Sequence, residues 1–216
     1  MTLKLATSLD GRIALGNGAS RWITGDAARE QVHRLRAAHD VVLTGIGTVL
    51  ADDPQLTVRL ADFDGQQPGR VVLDTRLRLP QTAKLFKPGG PLLVFCGGDV
   101  PGGTRSEIAD RGARVETLNR FDGPSVSLAA AIDRIRALDG DRILIEAGGR
   151  LAASALRQRV VDRIEWFRAP MVLGGDGISV VAALGLERLD EAPIFSRVSI
   201  AEIGEDTHEV YVRKAG

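Results

Sequence analysis

Two short runs, Val41-Val42-Leu43 and Ile143-Leu144-Ile145, are apolar at every position. A strand with one wet face alternates apolar and polar residues, whereas a strand apolar at consecutive positions is covered on both faces. Such strands need helices above and below them, and the rest of the chain supplies helix-period segments between further strand candidates. The strand candidates are Thr2–Thr7, Asp40–Gly45, Arg70–Asp74, Pro91–Cys96, Ala113–Thr117, Arg142–Glu146, Asp162–Pro170, Ser196–Ile203 and Thr207–Arg213. The helix candidates are Thr24–Ala38, with Thr24 as cap and Asp26 in its first turn, Gly47–Asp53, Thr104–Arg111, Ser125–Leu138 and Gly148–Arg159. In Ser125–Leu138 the stripe is Leu128, Ile132, Ile135 and Leu138. Alternation of strand and helix predicts an α/β layered domain with a largely parallel sheet. The last two strands, separated by Gly204-Glu205-Asp206, predict an antiparallel hairpin, so the sheet is expected to be mixed.

The 216 residues suit one domain better than two small ones. Lys plus Arg and Asp plus Glu both number 28, so no bulk charge points to nucleic acid or to a membrane surface, and any anion site must be local. The single cysteine, Cys96, follows an apolar run and is expected to be a buried, inert thiol in a reducing cytoplasm. No apolar stretch reaches the ~20 residues of a membrane span, and the first residues lack the pattern of a secretory leader. His33, His39 and His208 have no metal-ligand spacing, so no metal is expected. There is no nucleophile elbow and no phosphate loop of the Walker type.

In open α/β sheets ligands sit beyond the carboxyl ends of the strands. On Thr2–Thr7, Lys4 shares a face with Ala6 and leaves room for a flat ligand, although the residues alone favour an edge-strand lysine pointing at water. Glu146 ends a buried strand and is followed by Gly148 and Gly149 and a small-residue helix opening, a generic anion site; a tight turn with a solvated glutamate is an equal reading. Gly45–Pro54 also follows a buried strand, and Thr48 and Asp52 share a helix face there. The plainer reading of Asp52-Asp53-Pro54 is a turn.

Taken together, these segments resemble a known family. Leu3-Lys4-Leu5-Ala6-Thr7-Ser8-Leu9-Asp10-Gly11-Arg12, Ser20-Arg21-Trp22-Ile23-Thr24, Val32-His33-Arg34-Leu35-Arg36-Ala37, Gly45–Asp53, Pro54–Arg59, Leu73–Arg78, Ile145-Glu146 and Ala169–Gly177 occur in order over almost the whole chain. They are similar to the reductase half of the bifunctional riboflavin-biosynthesis deaminase/reductase. The resemblance implies a three-layer, dihydrofolate-reductase-like α/β domain over residues 1–216, NADPH as hydride donor, and a homodimer. It implies reduction of the ribose of 5-amino-6-(5-phosphoribosylamino)uracil to a ribityl chain.

Matched residue by residue, the resemblance implies that Ala6, Trp22, Thr48, Asp52, Thr75, Gly148, Gly149, Arg150, Leu151 and Ser154 hold NADPH. Ser20, Arg36, Leu56, Arg59 and Glu146 would hold the substrate. Arg36 and Arg59 offer planar forks suited to a sugar phosphate. Thr75 and Arg76, at a strand end, are placed for an adenosine 2′-phosphate and so favour NADPH over NADH. Lys4, Asp52 and Glu146 are the ionisable groups expected to orient the sugar and move protons, with Lys4 held by a carboxylate. Gly148-Gly149-Arg150 departs from the family's usual small, hydroxylated triplet. One cysteine cannot supply the zinc signature of a deaminase, so the chain is not expected to deaminate. The alternatives are reduction of the non-deaminated diaminopyrimidine, reduction of a pterin-like heterocycle, and a non-catalytic nucleotide-binding protein. The phosphate-suited cluster counts against a pterin.

Overall fold

The computed structural model describes residues 1–119 and 125–214. In chain order the elements are β1 (Thr2–Thr7), β2 (Arg12–Ala14), α1 (Asp26–Ala37), β3 (Val41–Gly45), α2 (Ile46–Asp52), β4 (Gly69–Leu73), β5 (Leu92–Gly97), α3 (Gly102–Ala109), β6 (Arg114–Leu118), α4 (Leu128–Arg136), β7 (Ile143–Glu146), α5 (Gly149–Arg157), β8 (Arg163–Arg168), β9 (Ile178–Ser179), β10 (Phe195–Ile203) and β11 (Asp206–Arg213). The chain divides into two compact units, residues 1–32 with 145–216, and residues 33–144.

In the first unit the strand order is β10-β11-β8-β1-β7, the chain entering this unit in the middle of β7. β1 and β8 are parallel; β8 and β11, and β11 and β10, are antiparallel. β1 is therefore an interior strand, which corrects the edge-strand reading of Lys4. Leu3 and Leu5 are buried on one face, while Lys4 and Ala6 on the other are only half-buried. The hairpin turn is Gly204-Glu205, with Gly204 at φ 64°, a conformation that glycine adopts without steric cost. β2 and β9 pair as a small separate ribbon that the residue pattern did not announce.

In the second unit β3, β4, β5 and β6 are parallel neighbours. β3 shows four buried residues in a row and β5 six, as expected for strands covered on both faces. Cys96 lies within β5 and is fully buried, and burial pushes its thiol up. The parallel and antiparallel pairings together give a mixed, mostly parallel α/β fold.

Local chemistry explains where the helices depart from the expected bounds. α1 starts at Asp26, so Gly25 rather than Thr24 stands at its cap, and the Gly25 N–H donates to Asp206 Oδ2 at 2.7 Å. α3 starts two residues early because Pro101, with its fixed φ, precedes the first turn. α4 starts at Leu128 because the Ser127 hydroxyl accepts from the Ala130 N–H. Leu128, Ile132 and Ile135 are buried, but Leu138 lies beyond the helix and is 40% exposed, so it does not belong to the stripe. α2 ends before Pro54 in a left-handed residue, Asp53 (φ 44°).

Arg70, at the start of β4, is 4% exposed and spends its guanidinium on main-chain carbonyls. Nε and Nη2 donate to Gly90 O at 3.0 and 2.6 Å, and Nη1 donates to Leu85 O and Lys87 O at 2.7 and 3.3 Å. Burial lowers its pKa. Removing this side chain leaves buried carbonyls without donors. Arg70→Met is expected to lower the free energy of unfolding by about 2–4 kcal/mol in urea denaturation followed by circular dichroism. A loss below about 0.5 kcal/mol, the size of an ordinary surface change, would show that Arg70 does not hold the 85–90 loop.

Candidate active site

In the first unit, Lys4 leaves the middle of β1 and Glu146 the end of β7, the strand beside it. Lys4 Nζ lies 3.3 Å from Glu146 Oε2, with the side chains 17% and 6% exposed. The carboxylate expected beside Lys4 is thus Glu146. Both groups are largely withdrawn from water, where a pair interacts more strongly and a lone charge costs more.

β1 then runs into a short turn. The Ser8 hydroxyl donates to Asp10 Oδ1 at 2.6 Å, and the Leu173 and Gly174 N–H groups donate to the same carboxylate at 3.1 and 2.8 Å. Asp10 therefore ties the end of β1 to the loop that follows β8. These bonds, the Ser8 bond foremost, hold its pKa at about 2. Nothing in the residue pattern singled out Asp10 for this role, since it reads as one more charged residue in a turn.

A cleft of about 620 Å³ opens in this unit between residues 22–27, 169–171 and 203–206. Trp22 is 67% exposed at its rim, and the Arg29 guanidinium lies over its ring at 4.5 Å. Arg29 also donates to Thr24 O and pairs with Asp26. Ser20 is half-buried in the segment leading to α1.

α5 opens after β7 with Gly148 at its cap, no side-chain cap bond and no acidic residue in its first turn. The first amides of a helix have no intrahelical acceptor, and the dipole there is positive. This donor set fits a phosphate of a dinucleotide. Gly149 answers to packing: a Cβ there would lie 2.6 Å from Ser179 O, and its carbonyl accepts from Ala182 N–H. Arg150 is exposed, and Leu151 and Ser154 are half-buried; Ser154 Oγ accepts from Gln158 Nε2.

A second group of acids and bases crosses β8 and β11. Glu165 is 3% exposed; His208 Nε2 lies 2.5 Å from its Oε2, and Arg163 Nε donates to its Oε1 at 2.5 Å. Burial pushes the Glu165 carboxyl up, but the hydrogen bonds and charges of His208 and Arg163 outweigh it and hold it below its ordinary value. The His208 ring is stacked on Phe167, centroids 4.4 Å apart and planes within 4°. The sequence carried one signal for this cluster, the charges Arg163, Glu165 and Arg168 within the strand candidate Asp162–Pro170.

In the second unit, Arg36 is 9% exposed and its Nη1 donates to Thr57 O at 2.9 Å. His33 Nδ1 lies 3.0 Å from the same carbonyl and 3.2 Å from the Arg59 N–H. Arg36 and Arg59 are thus brought into one neighbourhood through Thr57 and His33, and the Arg59 side chain is exposed. Leu56, at φ 56°, is 2% exposed and belongs to the apolar core of this unit, so its side chain is spent on packing. Thr48 is half-buried and Asp52 exposed on α2. Arg76 is exposed, and the Thr75 hydroxyl accepts from Val126 N–H at 3.0 Å. Among the described residues, no group of three or more His, Cys, Asp or Glu is arranged to hold a metal ion.

The family described as RibD C-terminal domain matches residues 1–208. The chain belongs to this family. It is 34% identical to the riboflavin biosynthesis protein RibD of Bacillus amyloliquefaciens over 100% of its own length and 58% of that protein. It is 32% identical to the 2,5-diamino-6-ribosylamino-4(3H)-pyrimidinone 5′-phosphate reductase of Methanothermobacter thermautotrophicus, over 98% of this chain and 97% of that one. Among solved structures, RibD from Acinetobacter baumannii superposes with a TM-score of 0.86 at 33% identity, covering 99% of this chain and 58% of that one. The chain therefore spans a little over half the length of the RibD proteins it matches, and its fold is that of dihydrofolate-reductase-like reductases.

The pKa of Asp10 sets a pH dependence. A carboxyl depressed from 3.8 to about 2 in the fold contributes its tie above 3.8, and the tie is lost as pH falls through about 2. The amide NMR signals of Leu173 and Gly174 are expected to keep native positions at pH 5 and to move together below pH 3. Asp10→Asn should shift them already at pH 7, and signals that ignore both changes would remove Asp10 from this role.

Proposed function

We propose that this chain is an NADPH-dependent reductase that converts the ribose of 5-amino-6-(5-phosphoribosylamino)uracil to a ribityl chain in riboflavin biosynthesis. The observation that carries the reading is the largely buried Lys4–Glu146 pair, with Glu146 at the carboxyl end of β7, in a RibD C-terminal domain chain. When bound, the reduced nicotinamide supplies the hydride. The protein's part is to bind, orient and move protons. Hydride addition to the ring-opened imine needs one proton as well, and an ammonium fixed on a carboxylate can orient a sugar hydroxyl and give that proton. Glu146 holds the ammonium in place for that transfer and relays a proton from solvent back to the Lys4 amine afterwards.

Ala6, Trp22, Thr48, Asp52 and the opening of α5 from Gly148 to Ser154 are the proposed cofactor residues, with Thr75 and Arg76 for the 2′-phosphate. Ser20, Arg36, the Leu56 main chain, Arg59 and Glu146 are the proposed substrate residues, with Asp52 as a further proton-handling group. Val198 and Ile200, more than half exposed on the edge strand β10, support a homodimer. The buried lone thiol supports a reducing cytoplasm.

A second reading has its own support. The Methanothermobacter thermautotrophicus relative, matched over nearly its full length, is named for a diamino-pyrimidinone phosphate, so the non-deaminated pyrimidine is the alternative substrate. Oxidation of NADPH and NADH followed at 340 nm with both phosphorylated pyrimidines decides between them. No turnover with either pyrimidine would overturn the reading.

Glu146→Gln is expected to lower kcat at least about 100-fold while NADPH affinity changes less than about threefold, as for a group used in the chemical step. Turnover within a few-fold of the parent would show that Glu146 is not catalytic. Arg76→Ala should raise the KM for NADPH about tenfold and leave that for NADH nearly unchanged. Equal losses would take Arg76 out of 2′-phosphate recognition.

A further inference from the structure

β1 lies between β7 and β8, and its register with β8 pairs Thr2 with Arg163, Lys4 with Glu165 and Ala6 with Phe167. Paired residues on parallel strands project to the same face about 4.8 Å apart. Lys4 is therefore flanked by a buried carboxylate on each side, Glu146 from β7 at 5% exposure and Glu165 from β8 at 3%. An ammonium between two carboxylates in a poorly hydrated place is drawn to both, and a carboxylate whose oxygens are already held by cations draws it less. Glu165 is held at both oxygens. Arg163 takes one oxygen and His208 the other, both at 2.5 Å. Lys4 rests on Glu146 at 3.3 Å.

We propose that His208 is a positioning residue for Lys4: with Arg163 it occupies Glu165, and so leaves the Lys4 ammonium to Glu146. The inference rests on the reading of Lys4 and Glu146 as the reductase's working pair. His208 suits the task because its ring cannot easily turn. It is stacked flat on Phe167, its partner in the β8–β11 register, which fixes Nε2 on Glu165. Without the imidazole, one oxygen of a buried carboxylate is open a single strand away from Lys4, and the ammonium is drawn off Glu146. Glu165 does no chemistry in this scheme. It is a competitor that has to be kept occupied, so losing His208 alone harms the site and losing Glu165 as well repairs it.

The chain has only four lysines, Lys4, Lys84, Lys87 and Lys214. The ¹⁵N signal of the Lys4 ammonium is thus assignable in the unliganded protein by its loss in Lys4→Arg. His208→Ala is expected to move that signal and to lower kcat about 10- to 100-fold, with the KM for the pyrimidine within about threefold. His208→Ala/Glu165→Gln and Glu165→Gln alone are expected to keep the parent Lys4 signal and a kcat within about threefold of the parent. His208→Gln, which retains a side-chain N–H donor, should recover most of the loss. A His208→Ala protein with an unmoved Lys4 signal overturns the proposal, as does a double variant no better than the single one. Should His208→Ala fail to fold, Glu165→Gln still decides: a 100-fold loss of kcat there would make Glu165 a working group and not a competitor. Lys4→Met separates the two layers. If it keeps full turnover, the reading of Lys4 as a catalytic group fails, whatever the NMR shows of its position.

Discussion

The pairing of Lys4 with Glu146 is the interaction around which the first unit makes sense. Two charges on adjacent strands, both mostly out of water, are costly to bury, and each offsets part of the cost of the other. Losing one partner of such a pair leaves the other stranded, at a cost of about 3–5 kcal/mol where burial is complete. A chain seeking stability alone would place apolar residues at both positions, as it does at Leu3 and Leu5 on the opposite face of β1. Glu146 stands at the carboxyl end of β7, directly before a helix that opens on glycine, which supports the proposed role of the pair in the reaction.

Other carboxylates in both units are spent on shaping loops. Asp10 gathers Ser8 and two amides beyond β8. In the second unit, Asp53 accepts from the Lys84 N–H at 2.8 Å with the Lys84 ammonium 3.3 Å away, and these contacts keep its pKa low. Asp74 ends β4 fully buried and accepts from the Leu79 N–H at 2.8 Å; burial raises its pKa against that bond. Each of these three turns is thus tied by a carboxylate, and the exposed Arg76 lies within the one that Asp74 closes. Arg36 works the same way from a helix, holding Thr57 and with it the approach to Arg59.

Much of this was legible in the sequence. Unbroken apolar runs announced β3, β5 and β7, and alternation announced β1, because burial on two faces or one leaves different periods. Element ends were less legible, since Ser127, Pro101 and Gly25 act through single bonds or one fixed torsion. The β2–β9 ribbon was missed because three and two residues are too few to show a period. Lys4 and Glu146 were singled out, but the strand order that makes them neighbours is a long-range fact. Glu165 and His208 escaped for the same reason: 43 residues separate them, and only the register of β8 with β11 joins them. Leu138 fitted the helical stripe by spacing and was wrong because the helix stops at Arg136.

The guanidinium of Arg70 closes chain segments of 15 to 20 residues by gripping Leu85, Lys87 and Gly90. With a single cysteine, this chain has no disulfide of its own to draw on. One arginine on three carbonyls serves as a non-covalent cross-link, indifferent to thiol reductants and made and broken with the fold itself. It sits at the amino end of β4, the opposite end of that strand from Thr75 and Arg76. The strand is thus gripped at its amino end by a cation on carbonyls and at its carboxyl end by a carboxylate on an amide, Asp74 on Leu79, so opposite chemistries fix its two ends.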